Sequence, residues 1–381
     1  MVRRIHIFHH NDTDGRFAAA LMYQYFKKYD KRYRKTIFYP IDYITEINLE
    51  EIPEDDCLIF VDYSFSNKHN RDQFIKAHER NIPIIWIDHH KSSEYMLYNI
   101  LGRDLYGIQE QDNLVTYYDT VYSATKLCWI YCRSRAIVKS QDEPWDKVKT
   151  YVDAENNAVR FVPNFIDYVD RYDLWKYAKT DNAHLFHYGI DLEERNLKTL
   201  ISDILSEKEI SNYNIFEADI DEINKKSFKF IQDTISDGAI ILRYNENKYK
   251  HDREFGAFDF YITDNYSSIP VQWKCIALNI HSNSESFGEL YDEYDIVCPF
   301  IYNKEGIWKY SLFSGNTSRI MDLAKYAEII GDTPGGLSGG GHLKSAGFQH
   351  RDMILTPGCN INIKKKAFSN KPVVVIEKAY V

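Results

Sequence analysis

The chain has 381 residues, of which 44% are hydrophobic, 27% charged and 15% aromatic, with a formal net charge of −9. That length suits two domains with their own cores. The negative balance argues against a protein that lives on bulk attraction to long nucleic acid, so any nucleic-acid substrate is expected to be short or gripped locally. No apolar run approaches the ~20 residues of a membrane span. The segment Arg3-Arg4-Ile5-His6-Ile7-Phe8 enters strand-like sequence with no signal-peptide core. The six cysteines form no C-x-x-C pair, and a chain this long needs no disulfide staples. A cytoplasmic protein with no membrane partner is expected. The 30 tyrosines suit base stacking, but biased composition explains them as well.

Residues 5–9 read as a first strand, followed by the polar turn His10-Asn11-Asp12-Thr13-Asp14-Gly15 and an Ala-rich helix over 17–26. His10, Asp12 and Asp14 alternate, which predicts one shared face if the segment is extended. The structural alternative is Asp14 as a helix N-cap and Asp12 as a turn former. Strands are predicted at 36–39 and 57–61, the second ending in Asp62-Tyr63-Ser64, and a helix at 70–79. The run Ile84-Ile85-Trp86-Ile87 ends abruptly in Asp88-His89-His90. It has the texture of a buried parallel strand whose carboxyl end opens into a site. Strands alternating with helices, each strand ending in acids or histidines, predict a doubly wound parallel sheet.

Residues 91–122 read as loop-rich with no element assigned, 123–132 as a mostly buried helix, and 165–175 as a helix or loop carrying Asp167, Asp170 and Asp173. The charged stretch 193–236 reads as a helical connector, with its best helix over 221–235. Beyond it the texture becomes β-like. Strands are predicted at 239–242, 258–263, 271–280, 296–302, 307–313 and 372–377, with a helix at 320–330. A glycine-rich loop, 335–348, contains Gly339-Gly340-Gly341-His342 and Lys344. Glycines there let backbone N–H groups approach phosphate oxygens, although most glycine-rich runs are plain surface loops. The expected division is 1–192, a helical linker over 193–236, and 237–381.

His10, Asp12, Asp14, Asp62, Asp88, His89, His90 and Asp170 gather five carboxylates with three imidazoles. So many acids in one pocket repel one another strongly, which calls for cations among them. Carboxylate and imidazole donors without cysteine suit Mn²⁺ or Mg²⁺ better than structural zinc. The number of donors suggests two ions. Such a pair, about 3.5–4 Å apart, favours hydrolysis of a phosphate ester. The competing reading is a single structural metal, or paired acids and histidines in a core.

At these residues the chain resembles the DHH phosphoesterase superfamily, in its subclass with a DHHA1 C-terminal domain. The motifs are His10-Asn11-Asp12-Thr13-Asp14-Gly15, Asp62-Tyr63-Ser64, Asp88-His89-His90, an acid in Val169-Asp170-Arg171-Tyr172-Asp173, and Gly339-Gly340-Gly341-His342 running into Ala346-Gly347-Phe348. The resemblance implies an α/β enzyme whose smaller α/β C-terminal domain faces a cleft that holds the active site. It implies that His10, Asp12 and Asp62 hold one Mn²⁺. Asp14, Asp62, His89 and Asp170 hold the second, with Asp167 or Asp173 as alternatives to Asp170. Asp88 and His90 orient the ligands and the phosphate, and Gly340, Gly341 and His342 present the substrate. One departure is Ser311-Leu312-Phe313-Ser314, where related chains carry Ser-Leu-Arg-Ser. Arg319 or Lys344 is the candidate replacement for that arginine.

Within the superfamily, the Tyr-Asp-Leu-Trp segment resembles the nano-RNase and cyclic-nucleotide phosphodiesterase branch. The implied activity is release of nucleoside 5′-monophosphates from short oligonucleotides by a two-metal mechanism with a bridging hydroxide. The alternatives are a phosphodiesterase for cyclic or linear dinucleotides, a pyrophosphatase, a long-DNA exonuclease and, from another class, an inactive nucleotide-binding module. A homodimer is expected from the family alone.

Overall fold

The structure, a computed structural model, describes residues 3–42, 45–65, 67–101, 106–140, 147–191, 195–206, 213–265, 270–281, 284–315, 322–341, 343–365 and 372–378. The chain divides into two compact units, Met1–Leu242 and Arg243–Val381. No helix among the described residues is long and apolar enough to cross a membrane.

The first unit begins with β1 (Arg3–His10), α1 (Thr13–Tyr29), β2 (Tyr33–Ile41), β3 (Cys57–Val61), α2 (Lys68–Glu79) and β4 (Ile84–Asp88). There follow α3 (Glu94–Leu101), β5 (Gly107–Gln111), β6 (Leu114–Tyr118), α4 (Ala124–Ser140), α5 (Lys147–Arg160), α6 (Asn164–Asp173), α7 (Asn182–Ile190), α8 (Leu200–Ile204) and α9 (Ile220–Gly256), which belongs to this unit as far as Leu242. The strands form a six-stranded sheet in the order β2-β1-β3-β4-β6-β5. Every pairing is parallel except the β5–β6 hairpin at the edge.

Side-chain alternation along these strands feeds two cores. Ile59 and Val61 of β3 and Ile85 and Ile87 of β4 pack with Leu21, Leu127 and Phe165 on one face. Leu58, Phe60, Ile84 and Trp86 pack with Phe74, Met96 and Leu97 on the other. This is why β3 and β4 read as unbroken apolar runs: both faces are covered. Residues 91–122, which read as loop-rich with no element assigned, contain α3 and the hairpin. The hairpin's Gly107-Ile108-Gln109-Glu110-Gln111 strand is polar and lies at the sheet edge, so it lacks the apolar alternation that marks a strand.

The second unit contains β7 (Phe258–Asp264), β8 (Val271–Asn279), α10 (Leu290–Glu293), β9 (Ile296–Tyr302), β10 (Trp308–Ser314), α11 (Leu323–Gly331), β11 (Gly336–Gly341), β12 (Ser345–His350), β13 (Asn360–Lys365) and β14 (Pro372–Glu377). Its sheet is mixed and eight-stranded, in the order β11-β12-β10-β9-β8-β7-β13-β14. Phe260, Cys275, Phe300 and Leu312 form a core with Leu323, Ala327 and Ile330 of α11.

Two expectations are overturned here. Residues 239–242 are not a strand; they continue α9. A run of β-type residues is a weak local preference, and tertiary packing overrides it. A Cβ on Gly238 would lie 1.8 Å from Leu185 O, and one on Gly189 would lie 1.8 Å from Thr234 O. Helices α7 and α9 therefore touch backbone to backbone at a pair of glycines, and Ile231 and Leu242 are buried on either side. The glycine-rich run is not a loop either, because Gly336–Gly341 pairs antiparallel with β12. Within Gly339-Gly340-Gly341, two answer to packing: a Cβ on Gly339 would meet Ala327 O at 1.9 Å, and one on Gly341 would meet Ala346 Cα at 2.6 Å. Gly340 alone of the three has open space around its Cβ position.

The α7–α9 crossing carries a stability prediction. Gly238→Ala forces two helix backbones apart and should cost about 1–3 kcal/mol, the usual cost of overpacking. Thermal denaturation should show a lower midpoint, and an unchanged midpoint would mean that the crossing is looser than described.

Candidate metal centre

The donors converge at the carboxyl ends of β1, β3 and β4. β1 ends in His10, and Asp12 caps α1 by accepting the Gly15 N–H at 2.9 Å while its other oxygen accepts from His10 Nδ1 at 2.7 Å. Asp12, not Asp14, is thus the N-cap. Asp14 is a helical residue and does not continue an extended face with His10. Glycine is required at position 15, because a Cβ there would lie 2.3 Å from His10 O.

Asp14 turns to the start of α4. Its two oxygens accept the Ala124 and Thr125 amides at 2.8 and 2.9 Å, which places a carboxylate on a helix N-terminus. Asp62 follows β3 with φ at +55° and is 1% exposed. Left-handed backbone is uncommon outside glycine, and aspartate is among the residues that tolerate it. Here it turns a buried carboxylate into the cluster.

His89 is the hub. Its Nε2 lies 3.2 Å from Asp62 Oδ1, 3.5 Å from Asp173 Oδ2 and 3.9 Å from Asp14 Oδ2. His90 Nδ1 bonds Asp88 Oδ1 at 2.8 Å and stands 3.7 Å from Asp62 Oδ1. Asp88 is held in turn by the buried Ser93 hydroxyl.

The fourth acid differs from expectation. Asp170 accepts the Ser123 N–H at 2.8 Å and pairs with Lys126 Nζ at 3.2 Å, so it braces the N-terminal end of α4. Asp173, three residues on and last in α6, is the acid that meets His89. Spacing along one helix face does not decide between the two; the direction in which α6 approaches the sheet does. Asp167 is not among the clustered donors.

Among the described residues, three sets of donor atoms lie within 4.8 Å of one another: His10, Asp12, Asp62; Asp62, His89, His90; and Asp14, His89, Asp173. Asp62 and His89 are shared between sets. Buried Asp62 Oδ2 and Asp173 Oδ2 have no hydrogen-bond partner. Oxygen and imidazole donors with orphaned carboxylate atoms fit divalent cations.

The electrostatics agree. Burial, reinforced by the charges of Asp12, Asp14, Asp173 and Asp88, pushes the Asp62 carboxyl well above the ordinary range. Burial and the Asp14 and Asp12 charges do the same to Asp173, and burial with the Asp12 charge raises Asp14. Burial also works against ionisation of Asp88, yet its attraction to His90 and its bonds from His90 and Ser93 hold it below the usual carboxylate value. Asp12 is likewise held low, against burial, by the His10 bond.

Of the residues expected to bind substrate in the second unit, Gly340 and Gly341 lie on β11 and Lys344 is exposed between β11 and β12. His342 and Arg319 lie outside the described residues. Phe313 packs partly buried against Ile276, Leu278 and Val297. Sequence reading missed Ser93, the Asp14 contact with α4 and the Lys126–Asp170 pair; none carries a local signal.

Two outcomes follow from this geometry. Asp173→Asn should weaken Mn²⁺ binding at least tenfold to a hundredfold in a calorimetric titration, by comparison with the loss seen when even an outer partner is removed. Asp170→Asn should lower the melting temperature and move the Mn²⁺ affinity far less; the reverse ranking would restore Asp170 as the ligand. The raised carboxylates also set a pH dependence. Between an unfolded pKa of about 3.9 and their higher folded values, Asp62, Asp14 and Asp173 bind more protons folded than unfolded. Stability of the chelated protein therefore falls as pH rises through that window. Mn²⁺ needs them deprotonated. The melting-temperature gain on adding it should grow with pH, and a gain that is flat from about pH 5 to 8 would contradict the raised values.

Residues 4–146 match the DHH family, N-terminal domain. No curated protein sequence matches the chain. Solved structures similar to it include RecJ in complex with Mn²⁺ from Thermus thermophilus, at 12% identity and a TM-score of 0.40, over 91% of this chain and 49% of that one. An exonuclease RecJ bound to manganese has 12% identity and a TM-score of 0.37, over 91% and 86%. CDC45 from Entamoeba histolytica has 11% identity and a TM-score of 0.36, over 92% of each chain. The chain thus spans about half the length of the Thermus thermophilus protein. The family match supports a phosphoesterase, and the clustered acids and histidines fit divalent cations. The match is confined to residues 4–146, which hold β1 to β6 and the clustered donors His10, Asp12, Asp14, Asp62, His89 and His90.

Proposed function

We propose that this protein is a metal-dependent phosphodiesterase that hydrolyses short oligonucleotides to nucleoside 5′-monophosphates. The observation that carries the reading is the hub at Asp62 and His89, whose donor atoms belong to more than one of the three sets. Shared donors of this kind suit two divalent cations, Mn²⁺ or Mg²⁺, which supply Lewis-acid charge at phosphoryl oxygens and acidify a water when bound. His10, Asp12 and Asp62 hold one cation, and Asp14, Asp62, His89 and Asp173 the other.

Asp88 accepts the His90 Nδ1–H at 2.8 Å, which fixes the orientation of the imidazole ring. Ser93 locks Asp88 from its other side. The net charge of −9 suits a short substrate that brings few phosphates to be neutralised. In the second unit, Gly340 and Lys344 are the proposed phosphate contacts.

The test is parallel turnover of pApA, cyclic di-AMP, 3′,5′-cAMP and a labelled RNA ladder, with Mn²⁺ and with chelator. The expected result is fastest conversion of pApA and the shortest RNAs to AMP, abolished by chelator. Asp88→Asn should lose about 10–100-fold in rate, as outer partners of metal ligands do. Turnover of cyclic substrates alone would replace this reading with a cyclic-nucleotide phosphodiesterase. Metal binding with no turnover of any substrate would leave a nucleotide-binding module.

A further inference from the structure

Helix α7 ends against its own dipole. Its C-cap is Asp191, and a carboxylate there meets the negative end of the macrodipole, where lysine, arginine and histidine are favoured. His187, one turn earlier, offsets part of this, with its Nε2 3.7 Å from Asp191 Oδ2. A residue that breaks a local rule in this way calls for a gain elsewhere. The gain lies in the turn that carries Asp12 and Asp14. Asp191 Oδ1 accepts the Thr13 hydroxyl at 3.0 Å, across 178 positions of chain. That hydroxyl gives its one proton to the carboxylate, so towards His187 Nδ1, at 3.3 Å, it can only accept.

Thr13 is buried and stands between Asp12 and Asp14, two acids assigned above to different cations. With His187 it lines one cavity together with Asp12, Asp14 and Asp173. Asp12 is held by His10 and the Gly15 amide, and Asp14 by two amides of α4. Thr13 ties the same turn to a third element, and that element is a firm platform. Asp181 caps the start of α7 by accepting the Ala183 and His184 amides at 2.7 and 3.3 Å. Phe186 and Ile190 are buried in the core, and Gly189 meets α9 backbone to backbone. A second bond, from Arg16 Nη2 to Arg195 O at 3.3 Å, joins the first turn of α1 to the chain beyond α7.

We propose that Asp191 is a positioning residue of the metal centre: through the Thr13 hydroxyl it fixes the Asp12-Thr13-Asp14 turn, and with it the relative placement of the two cations. This rests on the two-cation reading above and deepens it. Asp191 is not one of the clustered donors, so it acts only through Thr13. Half of its side chain is exposed, and water can solvate the carboxylate when the hydroxyl is removed. The bond therefore matters more to the geometry of the turn than to the stability of the unit.

The experiment is a double-mutant cycle read by calorimetric titration with Mn²⁺, on wild type, Thr13→Val, Thr13→Ser, Asp191→Ala and the Thr13→Val/Asp191→Ala protein. Valine keeps the shape of threonine without the hydroxyl, and serine keeps the hydroxyl. Thr13→Val and Asp191→Ala should each weaken Mn²⁺ binding about tenfold to a hundredfold, as loss of an outer partner does. Thr13→Ser should restore most of it. The double variant should bind no more weakly than the weaker single one, because both changes remove the same bond. Asp191→Ala also relieves the charge at the helix end, so its melting temperature in chelator should not fall.

Unchanged Mn²⁺ affinity in Thr13→Val or in Asp191→Ala overturns the positioning role. Losses that add in the double variant overturn it too, because a long-range attraction between the Asp191 charge and the cations would survive in Thr13→Val. So does a melting temperature of Asp191→Ala that falls together with its affinity, the mark of a tie that only supports the fold. The titration needs no turnover, which separates this role from the activity. If wild type hydrolyses none of the nucleotides but the cycle shows the coupling, the phosphodiesterase reading falls and the role of Asp191 stands. If pApA is hydrolysed and the coupling is absent, the role falls alone. A wild type that binds no Mn²⁺ removes both.

Discussion

The first unit is organised around a repulsion. Asp12, Asp14, Asp62 and Asp173 bring carboxylates close together around His89, and Asp62 and Asp14 are almost fully buried. Like charges in such a place cannot all ionise unless something positive joins them. The protein supplies part of that compensation: His10 for Asp12, His90 for Asp88, two backbone amides of α4 for Asp14. Asp62 Oδ2 and Asp173 Oδ2 receive no hydrogen bond. The cluster is thus strained as an isolated protein site and balanced as a cation site. That asymmetry is the physical content of the functional reading.

The parallel sheet makes this crowding possible. Adjacent β1, β3 and β4 end at one edge, so residues far apart in sequence meet there without long loops. The backbone then departs from regular geometry at the points where side chains are aimed. Asp62 and Trp175 are both left-handed, one turning a carboxylate into the cluster and one placing an indole two residues beyond Asp173. Gly15 lets the chain double back against His10 O. Such departures persist only where the surroundings over-determine them. Here Asp62 is fixed by its N–H bond to Ile87 O, and Trp175 by the cap of α6.

Helix α4 links the site to the core of the unit. Its first amides bind Asp14, while Ser123 and Lys126 bind Asp170. Leu127, Cys128 and Ile130 of the same helix are fully buried in the core. Asp170 therefore holds in place the helix that holds Asp14. Asp170 supports the site in this way from three residues before Asp173, without joining the clustered donors.

The sheet strands and most of the clustered donors are legible in the amino-acid sequence. β3 and β4 are buried on both faces, so they appear as unbroken apolar runs, and a polar residue at the end of such a run has nowhere to be but the edge of the sheet. His10, Asp12, Asp62, Asp88, His89 and His90 can be read that way because their positions follow from chain direction alone. Three things cannot. The choice between Asp170 and Asp173 depends on how α6 approaches the sheet, and both acids satisfy the same helical spacing. The helical state of 239–242 depends on a contact with α7, far away in the chain, that overrides the local β preference of Ile240 and Ile241. The strand state of Gly336–Gly341 depends on pairing with β12 and on the closeness of Ala327, because glycine carries no preference of its own. Local pattern determines what each segment can be and where a strand must end. Which of two equivalent side chains faces the site, and which weak segment becomes helix or strand, is decided by partners distant in sequence, whose contacts outweigh preferences of a fraction of a kcal/mol per residue.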